Sequence, residues 1–289
     1  MIWDLVVQPF ADYGFMRRAL VGCVAISVGA TPVGVFLMLR RMSLTGDAMA
    51  HAILPGAAVG YLVSGLSLWS MTVGGLIAGA VVALLAGLVT RMTALREDAS
   101  LAAFYLISLA AGVLIVSTRG SNVDLMHVLF GTVLALDDAA LFLLCAIASV
   151  SLLTLAAMFR PLVLECVDSQ YLRSVSRLSV VTHLIFLMLV VMNLVGGFHA
   201  LGTLMAVGIM ILPAAAARFW VSSIGGLIAT SAAIAILSSV IGLLLSYHVS
   251  LPSGPSIILI AGLGYTLSII FGLSGGLVTP SFTRRARHT

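Results

Sequence analysis

Asp47 and His51 stand four residues apart in Arg40-Arg41-Met42-Ser43-Leu44-Thr45-Gly46-Asp47-Ala48-Met49-Ala50-His51-Ala52-Ile53-Leu54-Pro55-Gly56. On a helix that spacing puts a carboxylate and an imidazole on one face, where they can share a cation. The stretch opens a long apolar run, and a carboxylate inside a membrane segment costs about 2.5–3.5 kcal/mol on insertion scales, which marks it for function. Pro55 has no N–H for the carbonyl of His51, so that oxygen is released from the helical ladder. Together these groups can form a small intramembrane cation site. A plainer reading uses the same residues. Ser43 or Thr45 caps a helix, Asp47 sits in its first turn where the dipole favours an anion, and His51 is a packed histidine.

The elements that must carry this pair are membrane spans. The chain is 61% hydrophobic and 8% charged, with a mean hydropathy of +1.21. A soluble domain carries about 25% charged residues. All 289 residues read as one transmembrane domain. Nine apolar stretches have spanning length, over 19–39, 44–64, 68–90, 99–117, 139–158, 178–195, 200–217, 220–247 and 255–277. Residues 1–18, with Trp3, Tyr13 and Arg17-Arg18, read as an interfacial lead-in, without the basic n-region and cleavage site of a signal peptide. Residues 124–138 enclose an apolar stretch too short to span, which reads as a re-entrant or interfacial helix.

Arginines set the orientation. Of the 14 basic residues none is lysine, and all but Arg17, Arg18 and Arg119 fall on one side of the nine-span map. The positive-inside rule then puts the N-terminus outside and the C-terminus in the cytoplasm of a multi-pass inner (plasma) membrane protein. The lack of lysine excludes a P-loop, which needs the lysine of GxxxxGK[ST] to reach nucleotide phosphates. If ATP drives this protein, another subunit binds it. There is no HExxH for an intramembrane zinc protease, no nucleic-acid signature, and no cysteine spacing typical of metal sites among Cys23, Cys145 and Cys166. These three read as reduced packing residues.

Two further groups stand out. The long cytoplasmic loop 159–177 holds Glu165, Asp168, Gln170 and Arg173, and reads either as a docking helix for a cytoplasmic partner or as a solvated connector. On the outside, Asp124, His127 and His199 carry ligand chemistry suited to divalent metals, though scattered over loops, with His199 in a Gly-rich turn. Gly56-x-x-x-Gly60 and Gly272-x-x-x-Gly276 allow close helix packing, within a bundle or between copies.

Three stretches carry a resemblance. They are Arg40–Asp47 continued by His51-Ala52-Ile53-Leu54-Pro55-Gly56; Asp124-Leu125-Met126-His127-Val128-Leu129-Phe130-Gly131; and Gly208-Ile209-Met210-Ile211-Leu212-Pro213-Ala214-Ala215-Ala216-Ala217-Arg218. Together the chain resembles the permease subunits of ATP-binding-cassette importers for zinc and manganese. The resemblance implies an all-α, type II importer-like bundle and a homodimer working with a separate cytoplasmic ATP-binding subunit. It also implies an extracytoplasmic metal-binding protein and no permanently bound cofactor, the metal being cargo. It puts Asp47 and His51 on the metal path and ATPase coupling in the 159–177 loop. Zinc suits an aspartate–histidine site, and manganese one richer in oxygen. The alternative is an ATP-independent secondary transporter or channel for a divalent cation. It calls for a second intramembrane charge, and Asp47 is the only acid clearly within a span.

Overall fold

In the computed structural model, residues 3, 6–65, 67–93, 95, 97–119, 133–167 and 178–278 are described. A short helix α1 (Gln8–Asp12) leads into α2 (Gly14–Leu39), α3 (Ser43–Ser64), α4 (Leu68–Met92) and α5 (Glu97–Arg119). A single 3-10 turn at Val133–Ala135 precedes α6 (Asp138–Ala157), and the nine-residue α7 (Phe159–Val167) follows. The chain ends with α8 (Leu178–Leu201), α9 (Thr203–Ala217), α10 (Ile224–Val249) and α11 (Ser253–Phe271). Each of the nine expected spans thus has its helix.

The helices are not equivalent. Among the described residues six are long and apolar enough to cross a bilayer by composition, and α5 and α9 carry shorter apolar stretches. Helix α3 falls in neither group, because it spends its N-terminal half on Ser43, Thr45, Asp47 and His51. Helices α2 and α8 are central, with 72% and 67% of their apolar windows buried, against 28–39% for the others that qualify. Phe36 and Leu37 of α2, Phe186 and Leu194 of α8, and Met205 and Met210 of α9 form the middle of the core. The outer helices turn Trp69, Val73 and Ile77 of α4 and Leu259, Leu263 and Leu267 of α11 outward. Such apolar stripes suit lipid, which exerts no hydrophobic force to hide them.

Several boundaries differ from expectation for physical reasons. Helix α2 starts at Gly14, not at 19, so Arg17 and Arg18 lie within it, and Arg18 reaches Asp138 at 3.3 Å. Asp137 is the N-cap of α6, its carboxylate accepting from the Ala140 N–H at 2.8 Å. The expected Gly-rich turn around His199 is helix: α8 runs through Gly196 and Gly197 and breaks only at Gly202, whose φ is +86°. Both glycines are there for contact. A methyl at Gly196 would meet Ile147 at 2.5 Å, and one at Gly197 would meet Ala206 at 2.6 Å.

The two GxxxG patterns also separate. Gly56 and Gly60 are used inside the chain, since a Cβ at either would collide with the backbone of Gly74 or Ser70 on α4. Ser70 seals this contact by donating to the Gly60 carbonyl at 2.8 Å. Gly272–Gly276 lies beyond the end of α11, in a turn where Gly275 takes φ +106°.

Gly56→Leu must therefore push α3 off α4. Overpacking of this kind costs about 1–3 kcal/mol or more, and the expected result is a clearly lower melting temperature in detergent. Gly225→Leu is the control, because a Cβ there meets nothing within 4 Å. Equal melting of the two variants would refute the tight α3–α4 seam.

Candidate functional site

The turn between α2 and α3 is built from backbone. Met42 N–H donates to the Leu37 carbonyl at 2.8 Å and Arg41 N–H to that of Met38 at 3.1 Å. This is the paired closure of a Schellman motif, with Arg41 in the left-handed position at φ +59° where glycine is usual. Met42 and Leu37 are both buried and supply its apolar contact. The reversal fixes where α3 begins, and so the phase of everything on it.

Helix α3 starts at Ser43 with Met42 as N-cap and no side-chain cap, and no acid lies in its first turn. Neither Ser43 nor Thr45 caps the helix, so the plainer reading of Asp47 as a dipole partner loses its basis. Asp47 sits roughly 6 Å along the axis from Ser43 at 1.5 Å per residue. Its Oδ1 lies 3.9 Å from His51 Nε2, with side-chain exposures of 66% for Asp47 and 35% for His51. That separation is too long for a hydrogen bond. It is close to the ~3.4 Å that two ligands of a tetrahedral ion span when each bond is about 2.1 Å. His51 Nδ1 is buried and lacks a partner among the described residues, and the ring lies 6.3 Å from that of Tyr105 on α5.

Helices α4, α5, α8 and α9 all pack on α3 while leaving this face open. Helix α4 takes the Gly56–Gly60 side. On the α5 side, Ser108 Oγ donates to the Ala52 carbonyl at 3.0 Å, and Gly112 leaves room for Pro55. At Gly46, a Cβ would meet Met210 and Ile211 of α9, so the first and third motif stretches touch. Leu44, Asp47 and part of His51 remain on the uncovered face. No cluster of three or more His, Cys, Asp or Glu occurs among the described residues. Two such groups are fewer than the four ligands a bound transition metal usually takes.

A second polar centre was not foreseen. Arg40 Nη2 donates to Glu165 Oε1 at 3.1 Å and lies 2.7 Å from His183 Nδ1. A guanidinium cannot accept, so Nδ1 is the acceptor in that contact. The Arg40 guanidinium also stacks 5.0 Å above the Phe186 ring. The side chains of Arg40 and Glu165 are only 10% and 2% exposed. The Glu165 carboxylate turns inward from α7 to the end of α2. Sequence spacing held no signal for the pair, whose members are 125 residues apart.

Asp124, His127, Asp168, Gln170 and Arg173 lie outside the described residues, and His199 is placed only by its backbone in α8. Cys166 neighbours the buried pair. Burial pushes its thiol up from 9.0 to about 11, the Arg40 charge opposing and the Glu165 charge adding.

A family model, the ABC 3 transport family, matches residues 12–272. The manganese import system permease protein ScaB of Streptococcus parasanguinis is 28% identical over 262 residues, covering 91% of this chain and 92% of its own. The chelated iron transport system membrane protein YfeD of Yersinia pestis is 26% identical, with 94% and 90% covered. Among solved structures, PsaBC from Streptococcus pneumoniae in complex with Fab superposes with a TM-score of 0.83 at 26% identity, over 99% of this chain and 100% of that one.

The raised thiol predicts an inert Cys166. At pH 8 its thiolate fraction is roughly a hundredfold below that of an ordinary cysteine, and iodoacetamide should label it correspondingly slowly. The rate should climb only as pH approaches 11. Mass spectrometry of the α7 peptide reads this, and labelling at the ordinary thiol rate at pH 8 would contradict the raised thiol of this half-buried cysteine.

Proposed function

Because the chain belongs to the ABC 3 transport family, we propose that two copies of it form the metal path of an ATP-driven importer, with Asp47 and His51 of each facing the other. The chain is the permease, and hydrolysis falls to a separate ATP-binding subunit, since no lysine is available for a P-loop. One observation carries the reading: a carboxylate and an imidazole share an uncovered face of α3, with no third ligand among the described residues. In a bilayer such a face needs protein or water against it. A second copy related by a two-fold axis presents the same face, as closed symmetry requires. Two carboxylates and two imidazoles then make a four-ligand site.

The cargo is a divalent transition metal. Names given to relatives include manganese and chelated iron, which moves the preference from zinc to manganese, with zinc retained as a competitor. The arginine distribution supports an N-terminus outside and a C-terminus in the cytoplasm of the plasma membrane. On that orientation α7 lies at the cytoplasmic face, with Leu164 and Val167 exposed. Together with Asp168, Gln170 and Arg173 it forms the docking segment for the ATPase. Asp124, His127 and His199 belong to the outer end, where a metal-binding protein delivers the ion.

The test is metal uptake into proteoliposomes carrying the whole complex, with Mn²⁺, Zn²⁺ and Fe²⁺ compared. Asp47→Asn and His51→Ala should each lower uptake about tenfold or more while complex assembly and basal ATP hydrolysis persist. The double variant should be little worse than either single one, because both act in one site. Near-normal uptake by Asp47→Asn, or two independent additive losses, would overturn the shared site.

A further inference from the structure

The buried Arg40–Glu165 contact is an unusual way to hold a nine-residue helix. Ion pairs taken out of water are weak stabilisers, since desolvation offsets most of their attraction. This one is also only half made. Arg40 uses Nη2 for both Glu165 and His183, while its Nη1 and Glu165 Oε2 are buried without partners among the described residues. A guanidinium and a carboxylate are shaped for two parallel hydrogen bonds. The two unpartnered atoms are the pair that a second, parallel bond would join.

The surroundings allow that change. Glu165 rides on α7, which rests on an apolar seat of Leu162 and of Phe159 against Phe36, their rings 6.1 Å apart and edge-on. Apart from Glu165 the seat is, among the described residues, apolar and non-directional, so it tolerates a small rocking of α7. On the other side there is no slack. Arg40 is the C-cap of α2, and the Schellman closure carries its position straight into Ser43 and the first turns of α3.

Building on the proposed function, we infer that Arg40 and Glu165 are positioning residues that link the ATPase-docking segment to the metal-binding face of α3. The contact has two settings. In the present one a single Nη2–Oε1 bond is shared with His183. In the other, Nη1 and Oε2 close a second bond, Arg40 leaves His183, and the start of α3 moves with it. Movement of α7 during the ATP cycle is thereby read out at Asp47.

Arg40→Lys separates this from a merely structural role. Lysine keeps the charge at the end of α2 and one bond to Glu165, but it is a point donor and cannot make the parallel pair. Glu165→Gln is the second variant, keeping the shape and an acceptor. Complexes with the ATPase are reconstituted, and Mn²⁺ moved and ATP hydrolysed are counted together, with melting temperature and Mn²⁺ binding by the ATP-free complex measured alongside. For Arg40→Lys the expected result is normal assembly and Mn²⁺ binding, continued hydrolysis, and at least a fivefold drop in Mn²⁺ moved per ATP. Glu165→Gln should show the same drop, and the double variant no further one. An unchanged ratio in Arg40→Lys would overturn the two-setting contact, as would a loss confined to melting temperature. A wild-type complex that moves no Mn²⁺ with ATP would instead overturn the metal-importer reading itself.

Discussion

A polar group that enters a bilayer must find its partner within the protein, because hydrocarbon offers none. Most of this chain obeys that constraint locally. Thr31, Thr72, Thr90 and Thr154 return their hydroxyls to carbonyls four residues earlier, at 2.6–2.7 Å. Asn193 bridges two helices by donating to Ser151 Oγ at 2.7 Å and to the Leu189 carbonyl at 2.9 Å. Trp220 reaches Ser268 at 2.8 Å. Against this background the Asp47–His51 face stands apart, because its groups are left facing outward.

The same constraint separates the two acidic centres. Glu165 meets its counter-charge inside the fold, at Arg40, and is held there away from the surface. Among the described residues the one basic group within 4 Å of Asp47 is the His51 imidazole, at 3.9 Å. One carboxylate holds elements together and the other is left available. Type alone does not distinguish them, and burial does.

The spans were legible because apolar runs of spanning length leave few alternatives. The Asp47–His51 pair was legible because a four-residue spacing has one meaning on a helix. Where the reading missed, a local cue had two uses. Gly196-Gly197 suggested a turn and instead admits Ile147 and Ala206. Gly56-x-x-x-Gly60 allowed close packing within a bundle or between copies, and α4 of the same chain bears out the first. Glu165 reads as part of a docking or solvated loop, because its partner lies 125 residues away. Contacts at that range leave no periodicity to read.

That distance also has a meaning in time. Arg40 is synthesised 125 residues before Glu165, and at about 5–20 residues per second the interval is on the order of 6–25 s. Throughout it, Arg40 stands at the end of α2 without Glu165 to bury against. A charge held there resists translocation and so helps set which way that segment points. The same guanidinium serves twice, first as an orientation signal during insertion and then, when α7 emerges and folds back, as the core of a closed structure.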